Sequence, residues 1–147
     1  YQRSIHDNMV SSFPGAVAVV RTLRDRGTRV GIVTSKGHRI GRRTLEVCGL
    51  HDEVEHVVFG DQVDHAKPHP EPVLKAMDAL DLADDPGSVL FVGDSPHDVR
   101  AGRLAGTKTA AVGWGPIDRQ VLEAEQPDFF FNDLQDVLAV TPPRSSG

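Results

Sequence analysis

A short apolar run, Val89-Leu-Phe-Val92, ends in Gly-Asp-Ser-Pro and passes straight into a helical stretch that closes near Gly106; this constrains the chain more than any other feature. Four consecutive apolar residues of this kind suit a strand covered on both faces of a parallel sheet. Gly93 lets the chain turn, Ser95 is a good N-cap, and Pro96 occupies the first helical position, where its missing N–H costs nothing. Asp94 and Asp98 therefore fall at the carboxyl end of a strand and in the first turn of the next helix. Open α/β sheets gather their ligands at that edge.

The remaining segments repeat the same strand-then-helix unit. Apolar positions Val17, Val20 and Leu23 predict an amphipathic helix from Ala16 closed by Gly27, and Arg29 to Thr34 predicts a strand. Gly37 to Gly49 reads as a second helix, with Ile40, Leu45, Val47 and Cys48 as its apolar contacts. Val57 to Phe59 reads as a brief strand. Pro70 to Leu82 reads as a helix with Val73, Leu74, Met77 and Leu80 on one face. Thr109 to Val112 predicts a weak strand, Ile117 to Glu125 a short helix, and Asp128 to Phe131 an edge strand. Asn132 is the expected cap of a closing helix that runs through Val140. Phe13-Pro14-Gly15 breaks the pattern near the start, and Trp114 reads as a rim loop residue. The tail 141–147 is expected to be disordered. Alternation of this kind implies an α/β fold, a Rossmann-like doubly wound parallel sheet with right-handed crossovers.

Composition narrows the function. The 147 residues amount to about one domain, 39% of them are hydrophobic, and the net charge is -5. The sixteen Lys and Arg are scattered apart from a patch at Arg39, Arg42 and Arg43, which does not point to nucleic acid. No run is long enough to span a membrane. The lone Cys48 excludes an internal disulfide and fits a reducing, cytoplasmic compartment, although a targeting segment could precede Tyr1.

Three strand ends carry groups with chemistry. Thr34 and Ser35 could hold phosphate oxygens with the amides of the following helix, although alone they read better as an ordinary helix cap. Lys67, set between Ala66 and Pro68 with Pro70 beyond, could neutralise a phosphoryl group; it could equally be a solvated loop lysine. Asp94 and Asp98 supply hard oxygens that suit Mg²⁺. A Ser95–Asp98 capping box explains Asp98 but not Asp94, which favours the metal reading for the pair. His65 and His69 are four apart, but Pro68 between them disrupts helical ligand geometry and argues against a zinc site.

In this order and spacing, a hydroxyl after a strand, Lys-Pro in a loop and Gly-Asp-Ser-x-x-Asp after another strand, the chain resembles the haloacid dehalogenase-like (HAD) phosphohydrolase superfamily. Gly31-Ile-Val-Thr-Ser-Lys36, Ala66-Lys-Pro-His-Pro-Glu-Pro-Val-Leu-Lys-Ala76 and Ala105-Gly-Thr-Lys-Thr-Ala110 look most like its phosphoglycolate phosphatase and bacterial pyrophosphatase branch. The resemblance implies a HAD core over residues 13–140, preceded at 1–12 by the end of a helical cap. It implies hydrolysis of a small phosphorylated substrate through an aspartyl-phosphate. In it Thr34 and the Ser35 amide hold phosphoryl oxygens, Lys67 offsets charge, Asp94 binds Mg²⁺ directly, and Asp98 binds through water or orients Lys67.

The family's nucleophile motif, Asp-x-Asp after an apolar strand, does not occur, since no two aspartates here stand two residues apart. The expectation is an incomplete chain that lacks its first, central strand, has a gap or a non-native contact in the sheet between the strands ending at Thr34 and Asp94, and cannot turn over a phosphoester. A phosphomutase of the same fold and a non-catalytic phosphate-binding relative remain open. A dehalogenase proper needs no metal, which the Asp94/Asp98 pair counts against. A signalling receiver domain has its acidic pair first and its lysine last, the reverse of this order.

Overall fold

Five short strands and six helices alternate along residues 15–113 and 117–140, the parts described in the computed structural model. The expectations for residues 1–12, for Phe13-Pro14, for Trp114 and for the tail lie outside the described residues. Helix α1 (Ala16–Asp25) buries Ala16, Val19, Val20 and Leu23, the i, i+3, i+4, i+7 stripe of an amphipathic helix. Three helices stop in the same way. After α1, after α2 (His38–Cys48) and after α4 (Pro96–Ala105), a glycine enters the left-handed region, with φ of 85° at Gly27, 76° at Gly49 and 90° at Gly106. The next amide reaches back to a carbonyl of the last helical turn: Thr28 to Leu23 at 2.9 Å, Leu50 to Leu45 at 2.9 Å, Thr107 to Gly102 at 3.1 Å. These bonds satisfy carbonyls that a helix end otherwise leaves open, and glycine takes the required φ without a Cβ clash.

Strand β1 (Gly31–Val33) pairs in parallel with β2 (His56–Val58), with Val33 opposite Val58. Strands β3 (Leu90–Gly93), β4 (Lys108–Val112) and β5 (Phe129–Phe131) form a second parallel ladder in that order. The strand read as weak is thus the middle one, and Ala110, Ala111 and Val112 are fully buried in it. Among the described residues no ladder joins β1 to β3, so the sheet is in two pieces, in agreement with the expected gap. One core still spans both: Ile32 of β1 packs in the same apolar cluster as Val92 of β3 and Ala110 and Val112 of β4. Helix α3 (Glu71–Ala79) contributes Val73 and Met77 to a second cluster with Ala101 and Ala105 of α4.

Four side-chain assignments need correcting. Ile40 and Val47 of α2 are 64% and 69% exposed, and Leu74 of α3 is exposed as well; the buried stripes are Gly41 and Leu45 in α2 and Val73, Ala76 and Met77 in α3. The closing element is capped by Asp133, not Asn132. The Asp133 carboxylate accepts from the Gln135 amide at 3.0 Å at the start of a 3-10 turn, Leu134–Asp136, that leads into α6 (Val137–Val140). Helix α5 (Arg119–Glu123) is shorter than expected.

Candidate active site

At the end of β3 the backbone turns at Gly93 so tightly that a Cβ there would lie 2.2 Å from Cβ of Asp98. Glycine is what allows the Asp98 side chain to fold back over the strand end. Ser95 caps α4 as expected, its Oγ accepting the Asp98 amide at 3.2 Å. Its hydroxyl proton is placed to donate to Oδ2 of Asp98 at 3.1 Å, and the Asp94 amide donates to the same oxygen at 3.2 Å. Oδ1 of Asp98 takes the Lys67 ammonium at 2.6 Å. Asp94 and Asp98 are 1% and 0% exposed. The capping role and the ion pair therefore coexist in Asp98, and both of its oxygens are engaged. Burial pushes the Asp98 carboxyl above the ordinary carboxylate range; the Lys67 ammonium, the Ser95 hydroxyl and the Asp94 amide oppose that rise.

Lys67 is not a solvated loop lysine. Its side chain is 1% exposed, and Nζ also lies 5.9 Å from the centre of the Phe91 ring. The loop that aims it is fixed from the start of α3. The Glu71 carboxylate accepts the amides of Asp64 at 2.8 Å and His65 at 3.1 Å, together with the His65 ring at 3.0 Å. These bonds, led by the Asp64 amide and the His65 ring, hold the Glu71 carboxyl below its ordinary range. The Lys67–Pro68 peptide is cis.

Thr34 stands at the end of β1, 2% exposed, its amide extending the ladder to the Val58 carbonyl at 2.9 Å and its Oγ1 accepting the Lys36 amide at 3.0 Å. Ser35 is exposed beside it. The turn is held against the end of β2 through Gly60, whose amide donates to the Lys36 carbonyl at 2.8 Å and whose missing Cβ would sit 2.1 Å from the Ser35 carbonyl oxygen. Direct contacts thus join Lys67, Asp94, Ser95 and Asp98, while Thr34 and Ser35 close the other ladder and reach the group through shared packing, Val33 and Phe91 lying in one apolar cluster. Ser95 as a hydroxyl donor, Gly93 as the space for Asp98 and Glu71 as the clamp on the lysine loop were not expected. The Ser-x-x-Asp spacing hinted at the first of them.

The donor chemistry of the carboxylate pair fits Mg²⁺. Both groups offer hard oxygens, with neither sulfur nor imidazole between them, and that ion takes one or two carboxylates with water and substrate phosphate completing its shell.

Comparison with known proteins identifies the family. Residues 1–112 match the profile of the haloacid dehalogenase-like hydrolase family. The chain is 42% identical over 135 residues to Pyrophosphatase PpaX of Bacillus cereus (strain G9842) and 41% to that of Bacillus thuringiensis (strain Al Hakam). In both cases the match covers 92% of this chain and 62% of the relative, so the chain spans less than two thirds of their length. A crystal structure described as a predicted phosphoglycolate phosphatase from Haemophilus somnus 129pt superposes with a TM-score of 0.80 at 26% identity, covering 88% of this chain and 56% of that one. A beta-phosphoglucomutase from Clostridium difficile shares the fold at a TM-score of 0.71 and 17% identity, covering 85% of this chain and 52% of that one. Sequence order, the two parallel ladders and these matches agree, and the chain belongs to the haloacid dehalogenase-like hydrolase family.

Proposed function

We propose that these residues form the charge-balancing half of a Mg²⁺-dependent phosphatase centre, and that the whole protein hydrolyses a small phosphorylated compound, with pyrophosphate the first substrate to try. The observation that carries the reading is the Lys67–Asp98 pair, 2.6 Å long and buried beside Asp94. A lysine is expensive to bury, and a site that must neutralise phosphoryl charge is a reason to do so. Pyrophosphate leads because two relatives above 40% identity carry that activity in their name.

Phosphoryl transfer depends on positioning and on offsetting charge. Lys67, oriented by Asp98, presents its remaining N–H donors to a phosphoryl oxygen and to the attacking carboxylate. Thr34 donates its hydroxyl, and the Ser35 amide adds a second donor. Asp94 would hold Mg²⁺, which when bound polarises a phosphoryl oxygen and offsets part of its charge. The attacking carboxylate is absent from these 147 residues, so the chain by itself is expected to be inactive.

The test is phosphate release from pyrophosphate, phosphoglycolate and sugar phosphates, with the 147-residue chain compared against the same chain joined to its upstream coding segment. Turnover is expected only for the longer protein, only with Mg²⁺, and to fall on the order of 10²-fold or more in Asp94→Asn. Turnover that survives EDTA, or an Asp94→Asn protein of full activity, would refute the reading.

A further inference from the structure

The loop that delivers Lys67 assembles a different set of donors on its outer side. We propose that His65, His69 and Glu71 form a second cation site, for a divalent transition ion of the Zn²⁺ class, separate from the carboxylate pair at the strand ends. One donor atom from each of the three lies within 4.8 Å of the others, and no other group of three His, Cys, Asp or Glu side chains among the described residues does so.

Pro68 denies His65 and His69 a helical arrangement, but a turn brings them together instead. The His69 amide donates to the Ala66 carbonyl at 3.0 Å, folding the loop back until the two imidazoles stack with centroids 4.5 Å apart and planes 21° from parallel. Glu71 opens α3 directly below, its Oε1 3.0 Å from Nδ1 of His65. The Glu71 amide donates to Nδ1 of His69 at 3.0 Å. The backbone between the three ligands is already tied by the bonds from Glu71 to Asp64 and His65, so little ordering remains to be done when an ion enters.

Donor type separates the two sites. Two imidazoles and one carboxylate suit Zn²⁺, Ni²⁺ or Cu²⁺, whereas two carboxylates suit Mg²⁺. Both rings are exposed and open onto a cleft of about 580 Å³ that Pro68, Arg100 and Leu104 also line, so water can complete the coordination. The hydrogen bond between the His65 ring and Glu71 Oε1 gives way as the ion takes its place, the ring binding as neutral imidazole. An ion bound here grips the loop on both sides of Lys67.

Calorimetric titration of the untagged 147-residue chain with Zn²⁺, and optical titration with Co²⁺, test the site. One ion per chain is expected, weakened about tenfold or more in His65→Ala and in His69→Ala, and unchanged in Asp94→Asn and in Cys48→Ser. Circular dichroism establishes that each variant is folded. In the unaltered chain, Co²⁺ should broaden the His65 and His69 ring signals first in the NMR spectrum. The assignment fails if no ion binds, if the His65→Ala/His69→Ala double variant binds as before, if Asp94→Asn or Cys48→Ser removes the binding, or if other histidines broaden first.

Discussion

Lys67 and Asp98 are each other's counter-charge where water does not reach, and the energy at stake follows from that. Removing the ammonium leaves a carboxylate at 0% exposure, supported only by the Ser95 hydroxyl and the Asp94 amide. Breaking one partner out of a buried pair costs about 3–5 kcal/mol, against well under ~1 kcal/mol for an exposed pair such as Arg42–Glu46. Lys67→Ala is therefore expected to lower the unfolding free energy in urea by about 3–5 kcal/mol, and Lys67→Met combined with Asp98→Leu to recover most of it. Parent-like stability in Lys67→Ala would mean that the pair is solvated in solution. Sequence alone makes half of this site legible. Ser95, Asp98 and Asp94 are local neighbours whose capping pattern can be read directly. Lys67 reaches Asp98 across 31 residues, and no local rule joins them; only the family resemblance did.

At the scale of elements, the glycine stops were readable because their cause is local, whereas the buried faces of α2 and α3 were not. Helix α2 has two apolar stripes side by side: Ile40 and Val47 one full heptad apart, and Gly41, Leu45 and Cys48 next to them. Periodicity shows that a helix forms but cannot choose which stripe meets the sheet; tertiary packing chooses Leu45, which is fully buried. The consequence is measurable. Leu45→Ala should cost about 2–5 kcal/mol through lost contact and a residual cavity, while Ile40→Ala should change stability by no more than about 0.5 kcal/mol. Comparable losses at both positions would place Ile40 in an interface. The nearness of His65 to His69 is a related case: it comes from a turn at Ala66–His69, which helical spacing does not describe.

At the scale of the molecule, the described residues form a sheet in two pieces that share their main apolar cluster, with ion pairs joining elements at the surface, and the response to acid follows from those pairs. Arg21 of α1 bonds Glu53 at 2.9 Å, and Arg100 of α4 bonds Glu125 at 2.7 Å. Glu53 and Glu125 are held below the ordinary carboxylate range first by hydrogen bonds from those guanidiniums, and Asp61 by the His38 ring. Glu71 is held low by its loop amides and the His65 ring. A carboxyl whose folded value is depressed stabilises the fold above its unfolded value and loses that contribution as pH falls through the folded value. Asp98 has the opposite sign. Burial raises it, so its contribution is present below the unfolded value and is lost as pH climbs through the folded one. Four groups against one predict that the urea midpoint falls steadily from about pH 5 to about pH 3, with each exposed pair adding only a small, salt-screened share. Since the four depressed groups lie at the surface, Asp61 exposed and Glu53, Glu71 and Glu125 half-buried, while Asp98 is fully buried, salt should flatten the fall without reversing it. A midpoint that is constant or rises over that interval would show that Asp98 alone sets the acid response.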